Sequence, residues 1–497
     1  MLFNSQIFIY GFLPIVLAVY VLWGRRSIKQ QRGNLAVVFL VLASLFFYGC
    51  WNVHYLALIV PLTVVNFYFG YLLSVTRSRW LLVFALGFNL LVLAYFKYAE
   101  FLTHNVLQPL GFGWDAGTVV LPLGISFFIF QIIAYLVDSY KGEVRDKRFW
   151  HFSLFVTFFP QLVAGPIVHH KDIIPQFDKV QMRSFLDNLT VGLTIFIFGL
   201  FKKVILADGV AEYSTPVFEA AAHGEVLGFA DAWGAALAFT LQIYFDFSGY
   251  SDMAVGLARM FGIVLPLNFF SPYQAGSIVE FWRRWHMTLS CFLRDYLYIP
   301  LGGNRGGRWK QLRNLMVTML LGGLWHGAAW TFVVWGALHG VYLVINHMWQ
   351  RMFASSVAQV TGGARYLVRG GGWLVTFMAV VIAWVVFRAD NLGVALHMLE
   401  SMAGLHGVSV LQDGNPYFYG AAQVVFTGGL LLIVLFAPNS MTIMRSYRPA
   451  LWTDAHKSVV GPFQWKPNLR WAFIVGGMAV AALISLNNPN EFLYFNF

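Results

Sequence analysis

The stretch Leu321-Gly-Gly-Leu-Trp-His-Gly-Ala-Ala-Trp330 places His326 inside a run apolar enough to cross a membrane, with almost no other ionisable group around it. An imidazole in hydrocarbon surroundings loses hydration, so it is kept where it lines a cavity, satisfies a partner or performs chemistry. The chemistry open to it is proton transfer near neutral pH. Two further histidines stand among aromatic residues. His286 follows Trp282 by four positions and sits beside Arg283 and Arg284, and His339 lies in Trp335-Gly-Ala-Leu-His-Gly340. By spacing alone His286 reads as an interfacial histidine on a charged face, with Glu280 and Arg284 as a plain i,i+4 pair. His339 lies 13 residues beyond His326, about 220° further round a continuous helix. Both can face one cavity only if the helix breaks between them.

Other ionisable groups carry less. Asp246 and Asp252, in Tyr244-Phe-Asp-Phe-Ser-Gly-Tyr-Ser-Asp252, are separated by about 240° on a helix, which suits a cap or a salt bridge to a basic loop better than paired carboxylates. His169 and His170 are adjacent, with no third ligand at metal-site spacing, so no catalytic metal is expected. Cys50 and Cys291 are the only cysteines, and the topology derived below puts them on opposite sides, so neither a disulfide nor a cysteine metal site is expected. No nucleophile elbow, P-loop or dinucleotide fingerprint occurs.

The elements that must position these groups are membrane helices. Of 497 residues 59% are hydrophobic and 11% charged, against about 25% charged in a soluble domain. Apolar runs of spanning length recur near 7–23, 35–50, 54–74, 80–100, 118–137, 151–168, 189–206, 229–246, 312–346, 373–387, 420–437 and 470–486. The first is followed by Gly24-Arg-Arg-Ser-Ile-Lys-Gln-Gln-Arg32 with no small-residue cleavage site, and is expected to remain as an anchor. Basic residues alternate by loop: four in 24–33, none in 51–55, Arg77 and Arg79 next, none in 102–117, then Lys141, Arg145, Lys147 and Arg148. The positive-inside rule then puts the N-terminus outside. The net charge of +11 is mostly this topology signal, and its scatter over segment ends argues against nucleic-acid binding.

No fixed repeat and no pair of inverted halves is visible, and no polar interruption is long enough for a separate domain. Residues 1–497 read as one all-α, polytopic membrane domain. Within it 271–314 is too charged to span and too aromatic to be free in water: Ser271 to Ser277 looks like a turn and helix start, and Ile278 to Ile299 fits a helix lying in the interface or dipping into the protein. The loop Pro300 to Arg308 is glycine-rich and basic. The run 312–346 would be ~50 Å long as one helix, beyond the ~30 Å hydrocarbon core. It should break, and Gly322, Gly323 and Gly327 put the break beside His326. Those glycines, with Ala328 and Ala329, either leave space for a narrow substrate chain or permit close helix packing.

Seven ordered motifs carry a resemblance: Pro122-Leu-Gly-Ile-Ser-Phe-Phe128, Phe159-Pro-Gln-Leu-Val-Ala-Gly-Pro166, Phe201-Lys-Lys-Val-Ile-Leu-Ala-Asp208, Tyr244-Phe-Asp-Phe-Ser-Gly-Tyr250, Phe281-Trp-Arg-Arg-Trp-His286, Leu324-Trp-His-Gly327 and Trp335-Gly-Ala-Leu-His-Gly340. The chain resembles the membrane-bound O-acyltransferase superfamily, and within it the bacterial polysaccharide O-acetylases of alginate and cellulose type. The closing Phe492-Leu-Tyr-Phe-Asn-Phe497 resembles the aromatic tail of that subgroup. The motif-dense core is about 118–346. The resemblance implies a helical fold pierced by a funnel, His326 as principal catalytic histidine and His286 as the second. It implies acetyl-CoA as the donor, entering from the cytoplasm.

Taken with that chemistry, His326 is the expected base. His286, a Trp indole N–H or a backbone N–H near Gly327 are candidate oxyanion donors. Arg283, Arg284 and Trp325 are candidate contacts for the donor, with Arg305 and Arg308 also placed to attract its phosphates. The expected location is the bacterial inner membrane, with a periplasmic N-terminus and lipid around the helices. The expected partner is a periplasmic SGNH-type acetyltransferase or another polysaccharide-synthesis subunit. D-alanyl transfer to teichoic acid is the alternative enzyme reading. A polysaccharide transporter and a non-catalytic assembly subunit are the non-enzymatic ones.

Overall fold

The computed structural model describes residues 1–29, 34–111, 117, 119–178, 185–407, 417, 420–452, 463–487 and 492–493. Among these the fold is helical, and the one β-type pairing is an isolated bridge between Pro266 and Leu451. Among the described residues five helices are long and apolar enough to cross a membrane: Val53–Thr76, Arg79–Asn105, Phe185–Ala211, Trp330–Phe353 and Gly362–Arg388. Shorter apolar helices include Ile7–Leu22, Leu35–Gly49, Gly420–Phe436 and Leu469–Ile484. The chain divides into two compact units, Met1–Phe201 with Gly249–Leu267 and Ser440–Phe495, and Lys202–Ser248 with Asn268–Asn439.

In the first unit the polarity pattern of the helices is that of a protein in lipid. Helix Arg79–Leu102 starts at Ser78, whose hydroxyl accepts the Leu81 N–H, and leaves Trp80, Phe84 and Leu91 exposed while burying Asn89. Asn89 and Asn66 of Leu56–Thr76 exchange two side-chain hydrogen bonds, 2.6 and 3.0 Å. With no water at membrane depth, paired amides are the way to bury such groups. Helix Phe185–Phe201 packs against residues 249–260 with backbone nearly touching backbone. A Cβ on Gly192 would lie 2.6 Å from the Gly256 carbonyl oxygen, and one on Gly199 2.5 Å from that of Gly249. Phe492 is buried with its ring edge-on to Tyr250 at 4.6 Å; the rest of the expected aromatic tail from 494 on lies outside the described residues.

The run 151–168 is not a span. It divides into Phe149–Thr157 and Phe159–Leu162, because Pro160 cannot donate a backbone hydrogen bond and Phe158 turns out of the helical region at ψ 110°. His170 pairs with Asp138 at 3.3 Å. Asp252 accepts the Ser440 hydroxyl at 2.5 Å.

The second unit holds His286, His326 and His339. Its elements used below are α1 (Phe229–Met260, of which the part to Ser248 belongs here), α2 (Ile278–Trp282), α3 (Met287–Leu293), α4 (Arg308–His326), α5 (Trp330–Gln359), α6 (Gly362–Arg388) and α7 (Leu392–Met402). Asp246 sits inside α1 and so caps nothing. It is buried and paired at 2.7 Å with Lys203, which also holds Asp208 at 2.8 Å. The salt bridge was legible, but its partner is a helical lysine within a candidate span rather than a loop residue.

Candidate functional site

The region 271–314 folds as short helices rather than one interfacial helix. Ser277 caps α2 by accepting the Glu280 N–H, and the Glu280 carboxylate accepts the Gly276 N–H at 2.9 Å, a variant of the reciprocal capping box. The expected Glu280–Arg284 pair forms at 2.5 Å. The helix then stops, and His286 adopts φ 41°, ψ 53°, a left-handed conformation unusual for a residue with a Cβ. The chain on both sides of this strained residue is pinned: the Phe270 N–H reaches the Arg284 carbonyl and the Met287 N–H the Asn268 carbonyl, both at 2.9 Å.

Asn268 also sets the chemistry of the His286 ring. Its Oδ1 accepts from the Thr288 backbone N–H at 3.4 Å and the Thr288 hydroxyl at 2.9 Å, and lies 3.1 Å from His286 Nδ1. A backbone N–H can only donate, so this atom is the amide oxygen, and Nδ1 must carry the proton it offers. In the neutral ring the lone pair then sits on Nε2. Neutral His286 therefore presents a base, not an oxyanion donor, at its far nitrogen. The ring is fully buried and packs perpendicular to Phe247 at 4.8 Å.

The break expected in 312–346 falls immediately after the histidine: α4 ends at His326, Gly327 is extended, and α5 starts at Trp330. The two helices fold back on each other, with a Cβ on Gly323 only 2.3 Å from the Phe332 carbonyl oxygen and one on Gly336 only 2.4 Å from that of Met319. A Cβ on Gly327 would strike the Phe332 ring at 2.1 Å. These glycines serve close packing rather than leaving open space. The hairpin brings both histidines to one indole: Trp335 lies 5.0 Å from His326 and 4.7 Å from His339 between ring centroids. Phe387 of α6 closes on His326 at 5.4 Å and on Trp335 at 5.3 Å.

His339 makes a contact that spacing did not give it. Its Nδ1 accepts the Trp282 indole N–H at 3.3 Å, so the neutral ring holds its proton on Nε2. That nitrogen is buried and has no hydrogen-bond partner among the described residues. A buried donor without an acceptor is costly, and it is the type of group that can meet a developing negative charge.

Trp325 is buried between two of the histidines, 6.2 Å from His286 and 5.0 Å from His326. His286, Trp325, His326, Trp335 and His339 thus form one alternating aromatic array inside the second unit. The arginines do not join it. Arg283, Arg305 and Arg308 are exposed, and Arg284 is held by Glu280 with its other nitrogen 3.5 Å from the Ser271 carbonyl. Both cysteines are thiols.

Fold and site together define a polytopic helical membrane protein with a buried imidazole centre at a helix break. The MBOAT, membrane-bound O-acyltransferase family model matches residues 47–387, and the chain belongs to that family: it is a membrane O-acyltransferase. It is 42% identical to a probable alginate O-acetylase AlgI of Pseudomonas putida over the whole of both chains. It is 41% identical to the peptidoglycan O-acetyltransferase of Helicobacter pylori over 82% of this chain and 81% of that one. A teichoic acid D-alanyltransferase of Bacillus subtilis is more distant, 26% identical over 70% of this chain and 88% of its own.

Proposed function

We propose that this enzyme takes acetyl groups from acetyl-CoA at the cytoplasmic face of the bacterial inner membrane and delivers them outward for O-acetylation of an exopolysaccharide of alginate type. The observation that carries the reading is His326, caged at the end of α4 between Trp325, Trp335 and Phe387, in a chain similar along its full length to an alginate O-acetylase. The N-terminus is taken as periplasmic, and the immediate acceptor as a periplasmic SGNH-type acetyltransferase that passes the group to the polymer.

In this mechanism His326 removes the proton of the acceptor hydroxyl as its oxygen attacks the thioester carbonyl carbon. The carbon–sulfur bond breaks, the new ester bond forms, and the proton held by His326 goes to the departing thiolate. The oxyanion is met by the Nε2–H of His339, supported by that nitrogen's buried, unanswered donor. His286, its tautomer fixed by Asn268, is the second base of the array. Exposed Arg283, with Arg305 and Arg308, attracts the phosphates of the donor. Trp325 is assigned as a wall against which the acetyl group rests.

The test is complementation of a deletion strain with wild type or His326→Ala, with mass analysis of the secreted polymer. The variant should insert normally and lose acetylation by at least the 10²- to 10⁴-fold typical of a lost general base. Acetylated polymer from a stably inserted His326→Ala variant refutes the assignment. Loss of export in place of acetylation favours a transporter, and missing D-alanine esters on teichoic acid favour the alternative acyl group.

A further inference from the structure

We propose that His397, Glu400 and His406 form a binding site for one divalent cation of the zinc type, separate from the acyl-transfer centre. His397 and Glu400 are three residues apart on α7 and so share a face. His406 returns to them from the turn that follows, and the three residues each offer a ligand atom within 4.8 Å of the others. All three are partly shielded from solvent.

The hydrogen bonds fix both rings in the form a metal requires. His397 Nε2 lies 2.9 Å from the Glu225 carbonyl oxygen. That oxygen can only accept, so Nε2 carries the proton and the Nδ1 lone pair is left for a ligand. The Ser401 hydroxyl donates its single proton to the His397 carbonyl at 2.9 Å. Its oxygen, 3.0 Å from His406 Nδ1, therefore receives a proton from that ring, which leaves the lone pair on His406 Nε2. This nitrogen stands 3.6 Å from a Glu400 carboxylate oxygen, and the two imidazoles stack at 4.8 Å. At His406 a ring N–H held by a hydroxyl, with the other nitrogen facing the Glu400 carboxylate, is the outer-shell arrangement of metal-ligating histidine.

Two imidazoles and a carboxylate suit zinc, with ligand distances of about 2.0–2.2 Å and a water in the fourth position. Closing on such an ion needs the ligand atoms to move by about 1 Å, within side-chain reach. Through the hydrogen bond from His397 to the Glu225 carbonyl oxygen, the cation would tie α7 and its following turn to the chain just before α1. Spacing along the chain does not show this site, because Glu225 and Ser401 orient the rings through a backbone carbonyl and a hydroxyl. A second grouping, Asp146, His151 and Asp178, differs in kind: Arg148 already bridges both carboxylates at 2.5 Å.

The experiment uses full-length protein purified with an affinity tag free of histidine, stripped with chelator and titrated with Zn²⁺ by calorimetry and elemental analysis. Wild type should hold one zinc per chain, and zinc should raise its melting temperature. His397→Ala and His406→Ala should lose that zinc and that shift, Glu400→Gln should bind at least tenfold more weakly, and all three should retain acyl transfer as evidence of folding. Cobalt-loaded wild type should show the visible absorption of a tetrahedral site that the histidine variants lack. Wild type without stoichiometric zinc, or active histidine variants that bind it as wild type does, would overturn the proposal.

Discussion

His326 stands perpendicular to the indole of Trp335, at 85° and 5.0 Å between ring centroids, and the same indole carries His339 on α5. Trp335 is therefore the spacer that fixes one imidazole relative to the other. Replacing it with Ala should lower acetyl transfer at least tenfold and cost about 3–5 kcal/mol of stability, while Trp335→Phe should cost less of both. The donor role of His339 is separable from packing: His339→Phe should slow transfer by about 10²- to 10³-fold, and His339→Gln, which restores an N–H, should recover part of it. Initial rates with acetyl-CoA and melting curves read both effects, and equal rates for the two His339 variants would refute the donor role.

At His286 the backbone and side chain can be tested apart. His286→Ala keeps the strained φ of 41° and loses the ring, whereas His286→Gly loses ring and strain together. Both should be inactive, yet the Gly variant should be more stable than the Ala variant by about 1 kcal/mol. Thermal unfolding of the two proteins side by side decides it. A more stable Ala variant would mean that the left-handed conformation carries no cost here.

Lys203, buried, holds both Asp246 at 2.7 Å and Asp208 at 2.8 Å, so the lysine is the member that cannot be removed alone. Lys203→Met should destabilise by about 3–5 kcal/mol, Asp246→Asn should cost less because Asp208 still pairs with Lys203, and the double variant should lose less than the sum. Additive losses in denaturation midpoints would show that the two charges act independently.

How much of this was readable beforehand depended on whether a single segment carried the signal. The break after His326 was legible because a 312–346 run is too long for a bilayer whatever it packs against. The membrane character was equally plain in a chain with 11% charged residues. The failure of 151–168 as a span follows from Pro160, a local signal outweighed by the surrounding apolar residues. The interruption at His286 was not legible, because it rests on hydrogen bonds to Asn268 and Phe270, well away along the chain. His339 shares a site with His326 only through a break between them, and the break after His326 brings both Trp335 and His339 of α5 back to it. The glycines illustrate an ambiguity that sequence cannot remove: small residues permit either a cavity or contact, and at Gly323 and Gly336 the facing backbone takes the space.

That contact has a consequence for how the enzyme's acyl-length selectivity can change. At Gly323 and Gly336, where the backbones of α4 and α5 meet with no side chain between them, the hairpin offers evolution or engineering nothing to trim, and any added atom there separates the two helices. Phe387 encloses His326 from α6, by a side chain alone. On the proposed role of His326, a longer acyl group is to be admitted by reshaping α6, while the hairpin holds the two imidazoles at a fixed separation.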